Sequence, residues 1–305
     1  MKKSEVLAGV AKRFPALSRQ VLTMSIRGQL PAIHRHWLAR EVASDVFENA
    51  GVPMRHNPSR LYIPKSLHPV YFGYFDFFDH EPLTTSVFTG LLKPGAVVID
   101  VGANIGHYTL LAAGMVGPKG KVHAVECSPE TLSVLRGNVQ RNRLQNVEIH
   151  PVAASSVRST LDLNVTAIGL SWFNPHSNWP SVKGSGTTIT VPAVPVDELV
   201  FSRVDVVKID AEGVDLEVLK GMRRILTENR DISIIVEWAP PLLVEVGKDP
   251  LELPNWLRDA GFNKISVIDE IHNKQRPLEE AIRMVQAGSL AKDWVGDLFA
   301  RRVSS

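Results

Sequence analysis

The chain has 305 residues, 44% hydrophobic and 22% charged, with a formal net charge of +2 and one cysteine, Cys127. That length suits one large or two modest domains, and that composition is ordinary for a globular protein. It excludes a disulfide scaffold and a thiol-based metal cluster, and the near-neutral balance gives no general reason to expect nucleic acid as a partner. No apolar run reaches the ~18 residues needed to span a bilayer. The N-terminus lacks the apolar h-region of a secretory signal, so the expected compartment is the cytoplasm.

Charge is unevenly placed. Residues 1–40 carry eight Lys or Arg against Glu5 alone, whereas the rest of the chain is mildly acidic. A basic arm of this kind suits an anionic surface, either membrane lipid or an acidic partner, and an organellar transit peptide has a similar composition. A solvated helical face is the plainer reading. Ile33, Trp37, Leu38 and Val42 fall at helical spacing, and Gly51 and Pro53 end that region. An aromatic run follows, with Tyr62, Tyr71, Phe72, Tyr74, Phe75, Phe77 and Phe78. Its interruption by Gly and Pro predicts short strands and a loop covering the main domain.

From Pro82 the chain alternates between strands and helices. A helix is expected over 82–92, a buried apolar strand over 96–101, a helix over 106–116 and a strand over 121–126. Ser128 and Pro129 have the character of an N-cap and first turn for a helix reaching about Arg143, followed by a strand over 147–150. Residues 153–196 break the rhythm: β-rich pieces at 160–165 and 187–194 flank a polar loop, and an insert or lid is expected over about 156–196. Alternation resumes with a strand over 205–210, a helix over 215–226 and a strand over 232–237. A helix near 252–260, a strand at 263–268, a helix near 277–287 and a last strand at 295–302 complete the chain. This is the pattern of a doubly wound α/β sheet over residues 81–305, preceded by a helical and aromatic extension over 1–80. In such sheets ligands sit beyond the carboxyl ends of the strands.

The segment Asp100-Val101-Gly102-Ala103-Asn104-Ile105-Gly106 ends the first strand and opens a helix. Gly102 and Gly106 permit a sharp turn and close approach of a ligand, and Asp100 sets a negative charge at the crevice that suits a cationic ligand. Dinucleotide fingerprints need glycines where Asn104 and His107 stand, which counts against a nicotinamide oxidoreductase. Twenty residues past Gly106, Glu126 ends the next strand, where an acid accepts both hydroxyls of a ribose.

With these motifs, and with Lys208-Ile209-Asp210-Ala211-Glu212-Gly213-Val214-Asp215-Leu216-Glu217-Val218-Leu219-Lys220-Gly221, residues 82–240 resemble the FkbM family of S-adenosylmethionine-dependent methyltransferases. The resemblance implies a Rossmann-like class I sheet of seven strands with the last one antiparallel. It also implies S-adenosyl-L-methionine as cofactor and methyl transfer to a hydroxyl of a sugar, glycan or other small-molecule acceptor. It places Asp100, Gly102, Asn104 and Gly106 along the methionine part of the cofactor, Glu126 on the ribose, Cys127 and Ala153 beside the adenine, and Tyr108 among the cofactor-binding residues. Ser156 stands where the family often has an acid.

Alternation puts Lys208 and Asp210 on one face of their strand, with Glu212 in the turn beyond. Asp210, Glu212 and Glu237 are candidate bases for the acceptor hydroxyl, and Lys208 a group that tunes them. No dedicated metal-ligand cluster is legible, although Asp210 and Glu237 could together suit a divalent ion. The loop over 166–187, with Trp172, Phe173, His176, Asn178 and Trp179, is expected to act as a lid, with His176 a further candidate base. Two alternatives remain open: a non-catalytic cofactor-binding or scaffold protein of the same fold, and an N-methyltransferase acting on a macromolecule.

Overall fold

The computed structural model describes residues 51–54, 57–64, 67, 81–166, 171–172, 186–211, 213–292 and 294–303. The expected helix within 1–50, the aromatic run from Tyr71, the loop residues Phe173, His176, Asn178 and Trp179, and Glu212 lie outside them. The chain divides into two compact units, residues 1–80 and 81–305. In the first, β1 (Val52–Pro53) and β2 (Arg60–Leu61) form an antiparallel pair, tied by the Arg60 guanidinium donating to the carbonyl of Gly51 at 2.8 Å.

The second unit is an α/β fold with one large sheet. In chain order it contains α1 (Pro82–Leu91), β3 (Val97–Val101), α2 (His107–Val116), β4 (Lys121–Val125), α3 (Pro129–Arg141), β5 (Val147–His150), β6 (Ala153–Ala154), β7 (Ser159–Thr166), β8 (Ser171–Trp172) and β9 (Gly186–Val194). After a 3-10 turn at Val196–Glu198 come β10 (Val206–Ile209), α4 (Asp215–Lys220), α5 (Arg223–Glu228), β11 (Ser233–Trp238), α6 (Pro240–Glu245) and α7 (Glu252–Asp259). The last elements are β12 (Lys264–Asp269), β13 (Lys274–Pro277), α8 (Leu278–Gln286) and β14 (Gly296–Arg301).

The large sheet runs β13-β12-β14-β11-β10-β3-β4-β5. Strands β5, β4, β3, β10 and β11 are parallel neighbours, and β14 enters antiparallel between β11 and β12. Seven of these strands follow the order expected of a class I methyltransferase sheet. The eighth, β13, pairs with β12 across a turn in which Asn273 takes a φ of 48°. This strand corrects the sequence expectation. Its four residues, Lys-Gln-Arg-Pro, are mostly exposed and carry none of the apolar run or β-branched content that marks a strand.

Strand β10 explains why the sheet is covered on both sides, since all four of its residues are buried. Ile99, Val101, Val207, Ile209, Ile234 and Val236 point to one face. There they pack with Val218, Leu219, Ile225, Leu226 and Leu257 from α4, α5 and α7. On the other face Ala124 packs under Leu135 of α3. The expected single helix over 215–226 is in fact two. Gly221 sits between α4 and α5, where a Cβ would lie 2.0 Å from the carbonyl oxygen of Ser155, so the chain passes too close to continue as a regular helix with a side chain there. The insert forms its own sheet, β6-β9-β7-β8, with Ala153, Leu163, Val191 and Ala193 as its small core. Among the described residues, no helix is long and apolar enough to cross a membrane.

Candidate functional site

The carboxyl ends of β3, β4, β10 and β11 bring most of the sequence-derived candidates into one region. After β3 the backbone turns through Gly102 (φ 76°), Asn104 (φ 52°) and Gly106 (φ 101°) into α2. The close approach that needs Gly102 is made by the protein itself: a Cβ there would lie 1.8 Å from the carbonyl oxygen of Asp210, at the end of β10. At Gly106 a Cβ would meet Leu135 Cδ1 at 2.8 Å. These glycines let the loop turn and press against β10 and α3, a packing requirement beyond the sharp turn and ligand approach expected of them.

Glu126 is held at this turn. Its Oε2 accepts the amide of Asn104 at 2.8 Å and its Oε1 the amide of Ser128 at 2.7 Å. It is 7% exposed. Burial raises its carboxyl, and the two amides act in the opposite direction by binding the ionised form. Ser128 is the N-cap residue of α3 with Pro129 at the first helical position, yet its hydroxyl makes no capping hydrogen bond. Glu126 takes its backbone amide instead. Cys127 is half-buried, and burial followed by the neighbouring Glu126 pushes its thiol up to about 12, so it stays neutral and unreactive. Ala153 is buried against Cys127, Leu163, Val191 and Ala193.

Asp100 departs from its expected setting. It is 2% exposed, accepts the Thr109 hydroxyl at 2.5 Å beneath α2, and is therefore not an open charge on the crevice. Burial raises it to about 6, with the Thr109 hydrogen bond and Lys208 pulling the other way.

Lys208 and Asp210 do share a face, with Nζ 3.5 Å from Asp210 Oδ2. The shorter partner of Lys208 is Asp297 on β14, at 3.1 Å. Burial pushes the buried ammonium down, but Asp297 and Asp210 outweigh it and hold it well above the ordinary lysine value. Asp297 also accepts the Thr84 hydroxyl at 2.8 Å, and Lys208 lies 5.3 Å from the centre of the Tyr108 ring. The Tyr108 hydroxyl in turn donates to Glu81 at 2.6 Å. Glu237 stands opposite Asp297 in the β11–β14 register, two residues past the position level with Lys208. Asp210 retains 31% side-chain exposure, so it is the member of the ion-paired group best placed to meet a ligand.

Sequence reasoning missed Glu81, Asp297 and Asp215. Asp215 is buried and accepts the amides of Ala211 and Gly213 at 2.8 and 3.2 Å, fixing the turn after β10. Its place in the motif was visible, but this role was not. Asp297 depends on the register of an antiparallel last strand, which no local pattern encodes. The fold also gathers His123, Glu148 and His150 on β4 and β5, another grouping with no signature in the chain.

A parallel sheet with one antiparallel insertion, a glycine turn after its first strand and an acid ending its second define a Rossmann-like methyltransferase of class I. The sequence matches the family described as Methyltransferase FkbM domain over residues 100–264, more than half of the chain, and the chain belongs to that family. It is 30% identical to hexuronic acid methyltransferase AglP of Haloferax volcanii over 168 residues, 54% of this chain and 62% of that protein. It is 47% identical to 31-O-demethyl-FK506 methyltransferase FkbM of Streptomyces tacrolimicus over 53 residues, 17% of this chain and 20% of that one. The structure of methyltransferase FkbM from Methylobacillus flagellatus KT superposes with a TM-score of 0.42 at 15% identity, covering 72% of this chain and 51% of that one. The chain spans less than two thirds of the length of the curated relatives it matches, from 19% to 62% for the first four.

The family implies S-adenosyl-L-methionine, and the residues present fit it. Glu126 ends β4 as an acceptor-only carboxylate oriented by backbone amides, the kind of group a ribose diol can donate to. A neutral thiol at Cys127 suits the side of an uncharged ring.

Proposed function

We propose that this protein methylates a hydroxyl oxygen of a sugar, glycan or related small-molecule acceptor, using S-adenosyl-L-methionine. The observation that carries the reading is the pinned carboxylate of Glu126, oriented by the amides of Asn104 and Ser128 at the end of β4. An acceptor-only group fixed in this way rewards a ligand with adjacent hydroxyl donors. AglP, which acts on a hexuronic acid by its description, supports a sugar acceptor.

The cofactor supplies an activated methyl group on a sulfonium. The chain's own contribution is alignment, exclusion of water and removal of a proton. Alignment of two bound reactants is worth on the order of 7–11 kcal/mol of the barrier. Asn104, Gly102, Gly106 and Glu126 form the cofactor side of the crevice, with Cys127 and Ala153 toward the adenine and Tyr108 and Asp100 beneath the methionine end. Asp210, partly exposed at the end of β10, takes the acceptor proton on a carboxylate oxygen. Lys208 is a positioning residue that holds that carboxylate in place, and Glu237, at the end of β11, is a further acid able to hydrogen-bond a polyhydroxyl acceptor. A general base contributes roughly 10²–10⁴-fold.

The test has two arms. Calorimetric titration with S-adenosylhomocysteine should show binding to the folded protein, and its absence removes the cofactor assignment. Transfer of labelled methyl from S-adenosylmethionine to uronic acids, hexoses and glycans should then give an alkali-stable methyl ether. Binding without transfer to any hydroxyl acceptor overturns the acceptor class while leaving the cofactor in place.

A further inference from the structure

A second cluster lies at the far edge of the sheet. His123 is in the middle of β4, its register partner on β5 is Glu148, and His150 follows two residues later. The period-two alternation of strands puts all three side chains on one face, opposite to that of Asp100 and Ala124. His123 Nδ1 lies 3.1 Å from His150 Nε2 and 3.8 Å from Glu148 Oε2. One ligand atom from each residue falls within 4.8 Å of the other two.

We propose that His123 Nδ1, His150 Nε2 and a Glu148 carboxylate oxygen form a binding site for a late first-row divalent cation of the Zn²⁺ class, with an outer position open to water. Two imidazoles and one carboxylate are a donor set that zinc takes with its remaining position free. For metal–nitrogen bonds of about 2.0–2.1 Å, tetrahedral ligands sit roughly 3.3 Å apart, and the measured 3.1 and 3.8 Å straddle that spacing. The two rings are inclined by 20° with centroids 5.4 Å apart, so without an ion Nδ1 and Nε2 point at each other and share one hydrogen bond, and each ring must rotate to turn its lone pair onto a common ion. His123 keeps this ring direction although it leaves Nε2 buried without a hydrogen-bond partner. The contacts at Nδ1 must offset that cost, and a cation does so better than one shared proton.

Protonation does not oppose the site. An imidazole with an ordinary value of about 6.5 is mostly neutral at pH 7, the form that binds a metal. Lys121 holds Glu148 at 3.1 Å, but with side chains 40% and 48% exposed this surface pair is weak and yields to a metal. None of the three side chains is among those proposed to hold the cofactor, so the site stands whether or not that proposal holds.

Full-length protein without a histidine tag is dialysed against Co²⁺ and, separately, Zn²⁺, alongside Glu148→Gln and His150→Gln variants checked for folding by circular dichroism. Wild type should take up one Co²⁺ at this site, with the visible absorption of a four- or five-coordinate ion. Each variant should lose that signal, and its affinity should fall by more than the 10–100-fold that losing an outer partner of a ligand costs. Glu148 is exposed enough that its variant folds, so the test survives failure of the histidine variant. Absence of uptake by wild type, or uptake and absorption unchanged in Glu148→Gln, overturns the proposal.

Discussion

The ammonium of Lys208 on β10 reaches across β11 to the carboxylate of Asp297 on β14, 3.1 Å away, with both side chains inside the sheet's cover. This contact links the strand that carries the KIDAEG motif to β14, which runs against both of its neighbours. Buried ion pairs are costly to break because the remaining charge stays desolvated. Asp297→Ala should therefore lower unfolding free energy by ~3–5 kcal/mol, read from urea denaturation. Lys208→Met/Asp297→Leu, which removes both charges, should recover part of that loss. A double variant less stable than Asp297→Ala alone contradicts a paired origin.

Glu126 offers a more selective test. Glu126→Gln keeps size but turns one acceptor oxygen into a donor that faces a backbone amide of Asn104 or Ser128. Hydrogen bonds to charged groups contribute ~1.5–3 kcal/mol, so affinity for S-adenosylhomocysteine should fall roughly 10- to 150-fold by calorimetry. The acceptor dependence of the remaining activity should be unchanged. Asp210→Asn should do the reverse, sparing cofactor affinity and lowering kcat by about 10²–10⁴-fold.

Gly102→Ala separates packing from ligand contact. The new methyl would sit 1.8 Å from the Asp210 carbonyl oxygen on a backbone at φ 76°, so the loop or β10 must move. Overpacking of ~1–3 kcal/mol and backbone strain of similar size should together lower stability by several kcal/mol without any ligand present. Gly106→Ala meets the end of a leucine side chain at 2.8 Å, and its steric part should be smaller. Thermal melting of the ligand-free variants checks both. Unchanged melting in Gly102→Ala means the turn is built for a ligand after all.

The alternation of the chain made the sheet readable because its central parallel strands are short, mostly apolar runs bounded by turn residues. Val97–Val101 and Val206–Ile209 have that form. β13 does not, since this edge strand of Lys, Gln, Arg and Pro buries only Arg276, which is paired with Asp269 rather than packed as an apolar residue. The glycine turn and Glu126 could be read from residue type and spacing, which are local. Whether an acid is open or buried is set by packing from elsewhere: Asp100 is roofed by α2, and Asp297 meets Lys208 only once β14 is threaded between β11 and β12. The pairing of His123 with His150 likewise needs the β4–β5 register, twenty-seven residues apart in the chain.

Asp100 gives a pH dependence whose sign is fixed. Burial raises its carboxyl from the ordinary 3.8 to about 6 in the folded protein. Between those values the folded state holds a proton that the unfolded state has released, so this group makes stability fall as pH rises from about 4 through 6. Above that window the cost is complete, and at 1.36 kcal/mol per pH unit it reaches up to ~3 kcal/mol. Asp100→Asn keeps an acceptor for the Thr109 hydroxyl but cannot titrate. Its stability relative to wild type should therefore rise steadily from pH 4 to pH 6 and level off above, whatever constant offset the amide introduces. Buried His123, held down at about 4, gives the opposite slope over nearly the same range and is common to both proteins, so it cancels in the difference. Urea unfolding of both proteins at pH 4, 5, 6 and 7 reads this directly. A difference that stays flat across the window shows that Asp100 is ionised throughout, and that the neighbouring ammonium of Lys208 compensates its burial in full.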